Sequence, residues 1–118
     1  WGHAKDYVDA MWLMMQQKKP SDYVISTGKT YTIRDFVNRS SKYLKMNIAW
    51  KGSGLNEIGY DTRTNKEIIK INKQFYRPAE VNYLRGDPTK AKKELKWRPK
   101  YNLGSLIADM CDAALEKY

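Results

Sequence analysis

A β-prone run, Tyr23-Val24-Ile25-Ser26-Thr27, stands between two stretches of helical apolar spacing and stops at Gly28. That placement constrains the fold more than any other feature. A short run rich in aromatic and β-branched residues, closed by a turn residue, reads as a buried strand. Ahead of it, Tyr7, Val8, Met11, Trp12 and Met15 recur at three-to-four spacing between His3 and Gln17, and Lys18, Lys19 and Pro20 close the segment. One face of a helix is expected there, with the methionines filling core. Behind the run, Thr32 and Asp35 form a variant capping box before Ile33, Phe36, Val37 and Leu44, so a second helix should reach about Lys45. Helix, strand, helix is the rhythm of an α/β protein.

The remainder continues in kind. Residues 48–51 suit a second strand, Gly52-Ser53-Gly54 a loop, and Ile68, Ile69 and Ile71 a third strand over 67–71. Between them Asn56, Gly59, Asp61 and Asn65 predict an exposed hairpin-like excursion. Asp87-Pro88 supplies a cap residue and a helix-starting proline for Thr89 to Lys96, whose apolar side is only Ala91, Leu95 and then Trp97 before Pro99 ends it. Behind Asn102 as cap, Leu103, Leu106, Ile107, Met110, Ala114 and Leu115 trace a single stripe, which predicts a last helix.

At 118 residues the chain is expected to be one unit spanning residues 1–118, a domain or a piece of one. The start at Trp1, already close to a helix, suggests a piece. With 42% hydrophobic and 30% charged residues it falls among folded soluble proteins. No apolar run approaches the roughly 20 residues of a membrane span and no signal-peptide pattern opens the chain, so a cytoplasmic setting without a membrane partner is expected. Cys111 and His3, one of each type, offer neither an internal disulfide nor a usual zinc site. The net charge of +9 is uneven, with seven basic against two acidic side chains between Arg85 and Lys100. Such a surface attracts anions, whether nucleic acid, membrane or phosphorylated small molecule.

Most motifs fail on spacing. Gly28-Lys29-Thr30 resembles the end of a phosphate-binding loop, but its first glycine would fall on Tyr23. Gly52 and Gly54 begin a dinucleotide fingerprint whose third glycine would fall on Glu57. A nucleic-acid module is the stronger competitor, because 13% aromatic residues accompany the charge, yet neither an RNA-recognition signature nor a zinc-finger spacing is present. Lys90, Lys92, Lys93 and Lys96 then read as a solvated helix face, and His3 as a structural residue.

Several segments carry a resemblance. Trp1-Gly2-His3-Ala4-Lys5-Asp6-Tyr7-Val8 resembles a run that leads into a helix in GDP-mannose 4,6-dehydratases. Phe75-Tyr76-Arg77-Pro78-Ala79-Glu80-Val81, Leu84, Gly86-Asp87-Pro88-Thr89-Lys90-Ala91, Leu95, Trp97 and Pro99 are similar to that family's carboxy-terminal signature, and Asp22 to Gly28 and Arg34 to Val37 sit in the expected order. The wider extended short-chain dehydrogenase/reductase superfamily keeps a looser version.

The resemblance implies an α/β substrate-binding lobe of such an enzyme, lacking the amino-terminal Rossmann region. The full enzyme would be an NADP-dependent lyase, a homo-oligomer without nucleic-acid or membrane partners. It would convert GDP-mannose to GDP-4-dehydro-6-deoxymannose, on the way to GDP-fucose. Hydride leaves sugar C4 for the cofactor, water is lost across C5 and C6, and hydride returns to C6. The family's tyrosine with a lysine four places later is not found here: the nine tyrosines are followed at that distance by Met11, Thr27, Asp35, Asn47, Thr64, Glu80, Asp87 and Ser105, and Tyr118 by nothing. The piece is therefore expected to bind substrate, to contribute no catalytic, cofactor-binding or metal residue, and to be inactive alone. Arg77 would grip the diphosphate with its planar fork of donors, and Glu80 would accept from ribose hydroxyls. From residue type alone, an ion pair between Arg77 and Glu80 is an equal alternative. A sister enzyme for another nucleotide sugar, or the nucleic-acid module, is the competing function.

Overall fold

The computed structural model describes residues 1–81 and 83–117. Helix α1, Ala4–Met15, begins where His3 stays extended and its imidazole Nδ1 accepts from the Lys5 backbone N–H. Helix α2, Ile33–Tyr43, carries the complete capping box: Thr32 Oγ1 accepts from Asp35 N–H, and the Asp35 carboxylate accepts from Thr32 N–H. Three strands follow, β1 Ile48–Lys51, β2 Ile58–Asp61 and β3 Glu67–Lys70, in one antiparallel sheet of order β1-β2-β3. Two helices complete the chain, α3 Thr89–Glu94 and α4 Leu103–Lys117. Asp87 is the functional cap of α3, accepting from the backbone N–H and the hydroxyl of Thr89, and Asn102 caps α4 by accepting from Ser105 N–H.

Three expectations are corrected. Residues 23–27 form no strand, because a ladder needs a partner and the described strands pair only with one another. The segment takes no regular secondary structure and leaves Ser26 Oγ buried without a hydrogen-bond partner. The stretch between the other two strands is more than an excursion: it holds β2, the central strand of the sheet. The face of α1 that is buried also differs from the expected one. Asp6 and Ala10 are buried, with Tyr7, Leu13 and Met14 partly so, while Val8, Met11, Trp12 and Met15 are exposed.

The core has two parts. Ala10, Ala91, Leu95 and Trp97 form one cluster, with Tyr7, Leu13, Met14, Tyr23 and Ile25 packed on it. The thin apolar side of α3 is thus the centre of the packing. Leu103, Leu106 and Ile107 are the other buried apolar residues, on α4, which packs against α2. The sheet is joined to α2 by Trp50, whose indole N–H donates to Asn38 Oδ1 at 3.0 Å, and by Arg34, which lies over the Trp50 ring and pairs with Glu57.

Candidate functional site

Arg77 and Glu80 lie on the connection from β3 to α3. After a 3-10 turn at Lys73–Phe75, capped by Asn72, the described residues take no helix or strand until Thr89. Both side chains are exposed, and the ion pair between them does not form: among the described residues neither has an ionic partner. The connection is pinned to the body near its far end, where Thr30 Oγ1 donates to the Leu84 carbonyl at 2.7 Å. Two residues later Gly86 packs so closely on Ser26 that a Cβ there would come within 2.7 Å of the hydroxyl oxygen.

Two openings meet at the turn after Gly28, and the pinned end borders the second of them. One, of about 240 Å³, is lined by Trp1, Thr27, Lys29, Tyr31, Tyr101 and Leu103. The other, an open groove of about 500 Å³, is lined among others by Lys29, Tyr31, Asp35, Tyr83 and Arg85. Neither includes Arg77. Lys29 and Arg85 were not foreseen as partners, because only the folded connection brings them to one groove.

The titratable groups nearby are mostly structural. His3 Nε2 lies 2.9 Å from Asp109 Oδ2, and since Nδ1 accepts from Lys5 N–H, the proton sits on Nε2 and is donated to the carboxylate. That bond holds the Asp109 carboxyl below the usual carboxylate range. The imidazole also stacks on Tyr101 at 3.9 Å between centroids. Burial pushes the Cys111 thiol up, and the hydroxyl of Tyr43, which donates to Asp112, is pushed up by that bond, so neither is poised as an ionised nucleophile or base. Lys90 is exposed, as its helix-face reading expects, yet engaged: its ammonium donates to the Asp22 carbonyl and Ser21 hydroxyl and lies 4.8 Å from the Tyr23 ring centre.

An arrangement with exposed cations, hydroxyls and aromatic rings but no assembled acid, base and nucleophile is suited to holding an anionic ligand. A family profile described as GDP-mannose 4,6 dehydratase matches residues 1–110. The chain belongs to the GDP-mannose 4,6 dehydratase family. Among its relatives, proteins named GDP-mannose 4,6 dehydratase from Drosophila melanogaster, Dictyostelium discoideum and Homo sapiens are 47%, 48% and 44% identical over 116 residues, 98% of this chain. The chain spans only 29%, 33% and 31% of their respective lengths. The matched residues include the helices, the sheet and the Arg77 connection alike.

Proposed function

We propose that this chain is the substrate-binding lobe, a single unit over residues 1–118, of an extended short-chain dehydrogenase/reductase. The whole enzyme is a cytoplasmic, homo-oligomeric GDP-mannose 4,6-dehydratase, an NADP-dependent lyase that makes GDP-4-dehydro-6-deoxymannose. What carries this reading is the 44–48% identity over 98% of the chain to relatives bearing that activity in their names. In it, Arg77 offers two parallel N–H donors to the diphosphate of GDP-mannose, and Glu80 accepts from the ribose hydroxyls. The local geometry supports the roles, since both side chains are exposed and, among the described residues, unpaired on a connection held at its far end by Thr30 and Gly86.

The described residues do not suit NADP. Gly52 precedes and Gly54 begins a 3-10 turn that leads into the antiparallel strand β2, and not the strand-to-helix turn in which backbone amides meet a pyrophosphate. No redox step is assigned to residues of this chain; its part is to bind and orient the sugar nucleotide.

Calorimetric titration of the intact enzyme with GDP tests the reading. A charge-assisted contact is worth roughly 1.5–3 kcal/mol, so Arg77→Ala should weaken GDP binding by about tenfold or more, and Arg77→Lys should restore little of it. Unchanged binding in Arg77→Ala would sink the assignment. Tighter binding of another nucleotide base would favour a sister enzyme, and steeply salt-dependent, unselective polynucleotide binding a nucleic-acid module.

A further inference from the structure

Lys29 and Arg85 belong to segments far apart in sequence, yet both line the open groove beside the Gly28 turn. They are brought there by the bond from Thr30 to the Leu84 carbonyl and by the tight seat of Gly86 on Ser26. Neither cation has an ion-pair partner among the described residues. The Asp87 carboxylate near Arg85 is engaged first by the hydroxyl and backbone N–H of Thr89. Tyr31 and Tyr83 add rings and phenolic hydroxyls to the walls.

One lining group opposes an anion. Asp35 is held ionised, its carboxyl below the usual range because the Thr32 backbone N–H and hydroxyl hydrogen-bond to it. Its charge is spent locally, on the capping box at the positive end of α2 and against Arg39 one turn on. Arg39 also lies 5.6 Å from the Tyr31 ring centre, so the wall behind Tyr31 is cationic too. Two unpaired cations on opposite segments, with hydroxyl and aromatic walls, match a tetrahedral, multiply charged oxyanion better than a neutral or cationic ligand.

We infer that the groove between the Gly28 turn and the Tyr83–Arg85 segment binds a phosphate or diphosphate group, held by Lys29 and Arg85. The group is either a free ion or the anionic end of a nucleotide. This site does not include Arg77 and does not depend on the dehydratase reading.

Inorganic pyrophosphate is the probe, titrated calorimetrically into the intact protein carrying Arg77→Ala, so that the proposed substrate arginine cannot contribute. Pyrophosphate should still bind. Adding Lys29→Ala and Arg85→Ala should weaken it by about tenfold or more, and Lys29→Glu alone should weaken it further than Lys29→Ala. All three side-chain positions are exposed, and a thermal melt confirms that each variant is folded. A parallel titration with GDP separates the sources: tighter binding than pyrophosphate assigns the groove to a nucleotide, equal binding to the diphosphate alone. If pyrophosphate binding disappears with Arg77→Ala, or survives loss of both groove cations, the inference is overturned. The GDP affinity of the protein with Arg77 intact still reports on the dehydratase reading, so the two can fail separately.

Discussion

Asp6 ties the first turn of α1 to the segment that leads into α4. It is 1% exposed, and its two carboxylate oxygens accept from the backbone N–H groups of Lys100 and Tyr101, each at 3.0 Å, while its carbonyl accepts from the Trp97 indole at 2.8 Å. One residue in the first turn of α1 thereby fixes the turn that leads into α4. Asp6→Ala would leave two partly buried N–H groups without partners, at about 1–3 kcal/mol each before relaxation, so a loss of roughly 2–4 kcal/mol is expected in urea denaturation. Asp6→Asn, which keeps one acceptor, should lose less. Nothing in the sequence discloses this role. An acidic residue near a helix start is ordinary, and its partners lie 94 and 95 residues away. Arg77 is the opposite case, since its proposed ligand role comes from the resemblance of its surrounding residues and no local contact defines it.

The elements that could be read from the sequence are those whose signals are local. The Thr32 and Asp35 box, the Asp87 cap and the Asn102 cap each act within three residues, and all three form. Strands depend on partners, which is why 23–27 misled and β2 was missed. Gly59 disguises β2 as a turn, yet it is buried with Ile48, Trp50 and Ile69 packed around it, and it leaves room for them. The end of α2 falls close to the expected Lys45, but the motif that closes it carried no signal in the sequence. Met46 N–H reaches the Ser41 carbonyl and Lys45 N–H the Lys42 carbonyl, the Schellman arrangement, with Lys45 at φ 58°. A lysine is strained in that left-handed position, so Lys45→Gly should raise stability by roughly 0.5–1 kcal/mol, read as a higher urea midpoint at unchanged slope. The start of α2 gives a pH test. The Asp35 carboxyl is held low, chiefly by the Thr32 backbone hydrogen bond. Its contribution is therefore complete above the ordinary carboxylate value and is lost as pH falls through that range to the folded-state value. Urea midpoints measured from pH 7 downward should drop less steeply in Asp35→Asn than in the unaltered protein.

The whole chain is spread wide for its size. Its radius of gyration is 18.0 Å, against roughly 13.5 Å for a compact chain of this length. Its accessible surface is 9486 Å², against roughly 6,700 Å² for a compact protein of its mass. The difference, about 2,800 Å², is of the order that obligate interfaces bury. Much of it is apolar and organised. Met11, Trp12 and Met15 are 57%, 64% and 78% exposed on one face of α1, together with Val8. The sequence made that stripe plain but could not say which way it faces, because Asp6 and Trp97 turn the other side of α1 inward. Patches of this kind on a free surface bind apolar dyes and promote association. Replacing both Met11 and Met15 with lysine should therefore lower the fluorescence of a bound apolar dye. The melting temperature should hardly fall, because neither methionine contributes to the buried cluster and lysine propagates a helix nearly as well. A melting temperature that dropped by ten degrees or so would instead mean that the stripe is covered from within the chain, and that α1 is turned the other way.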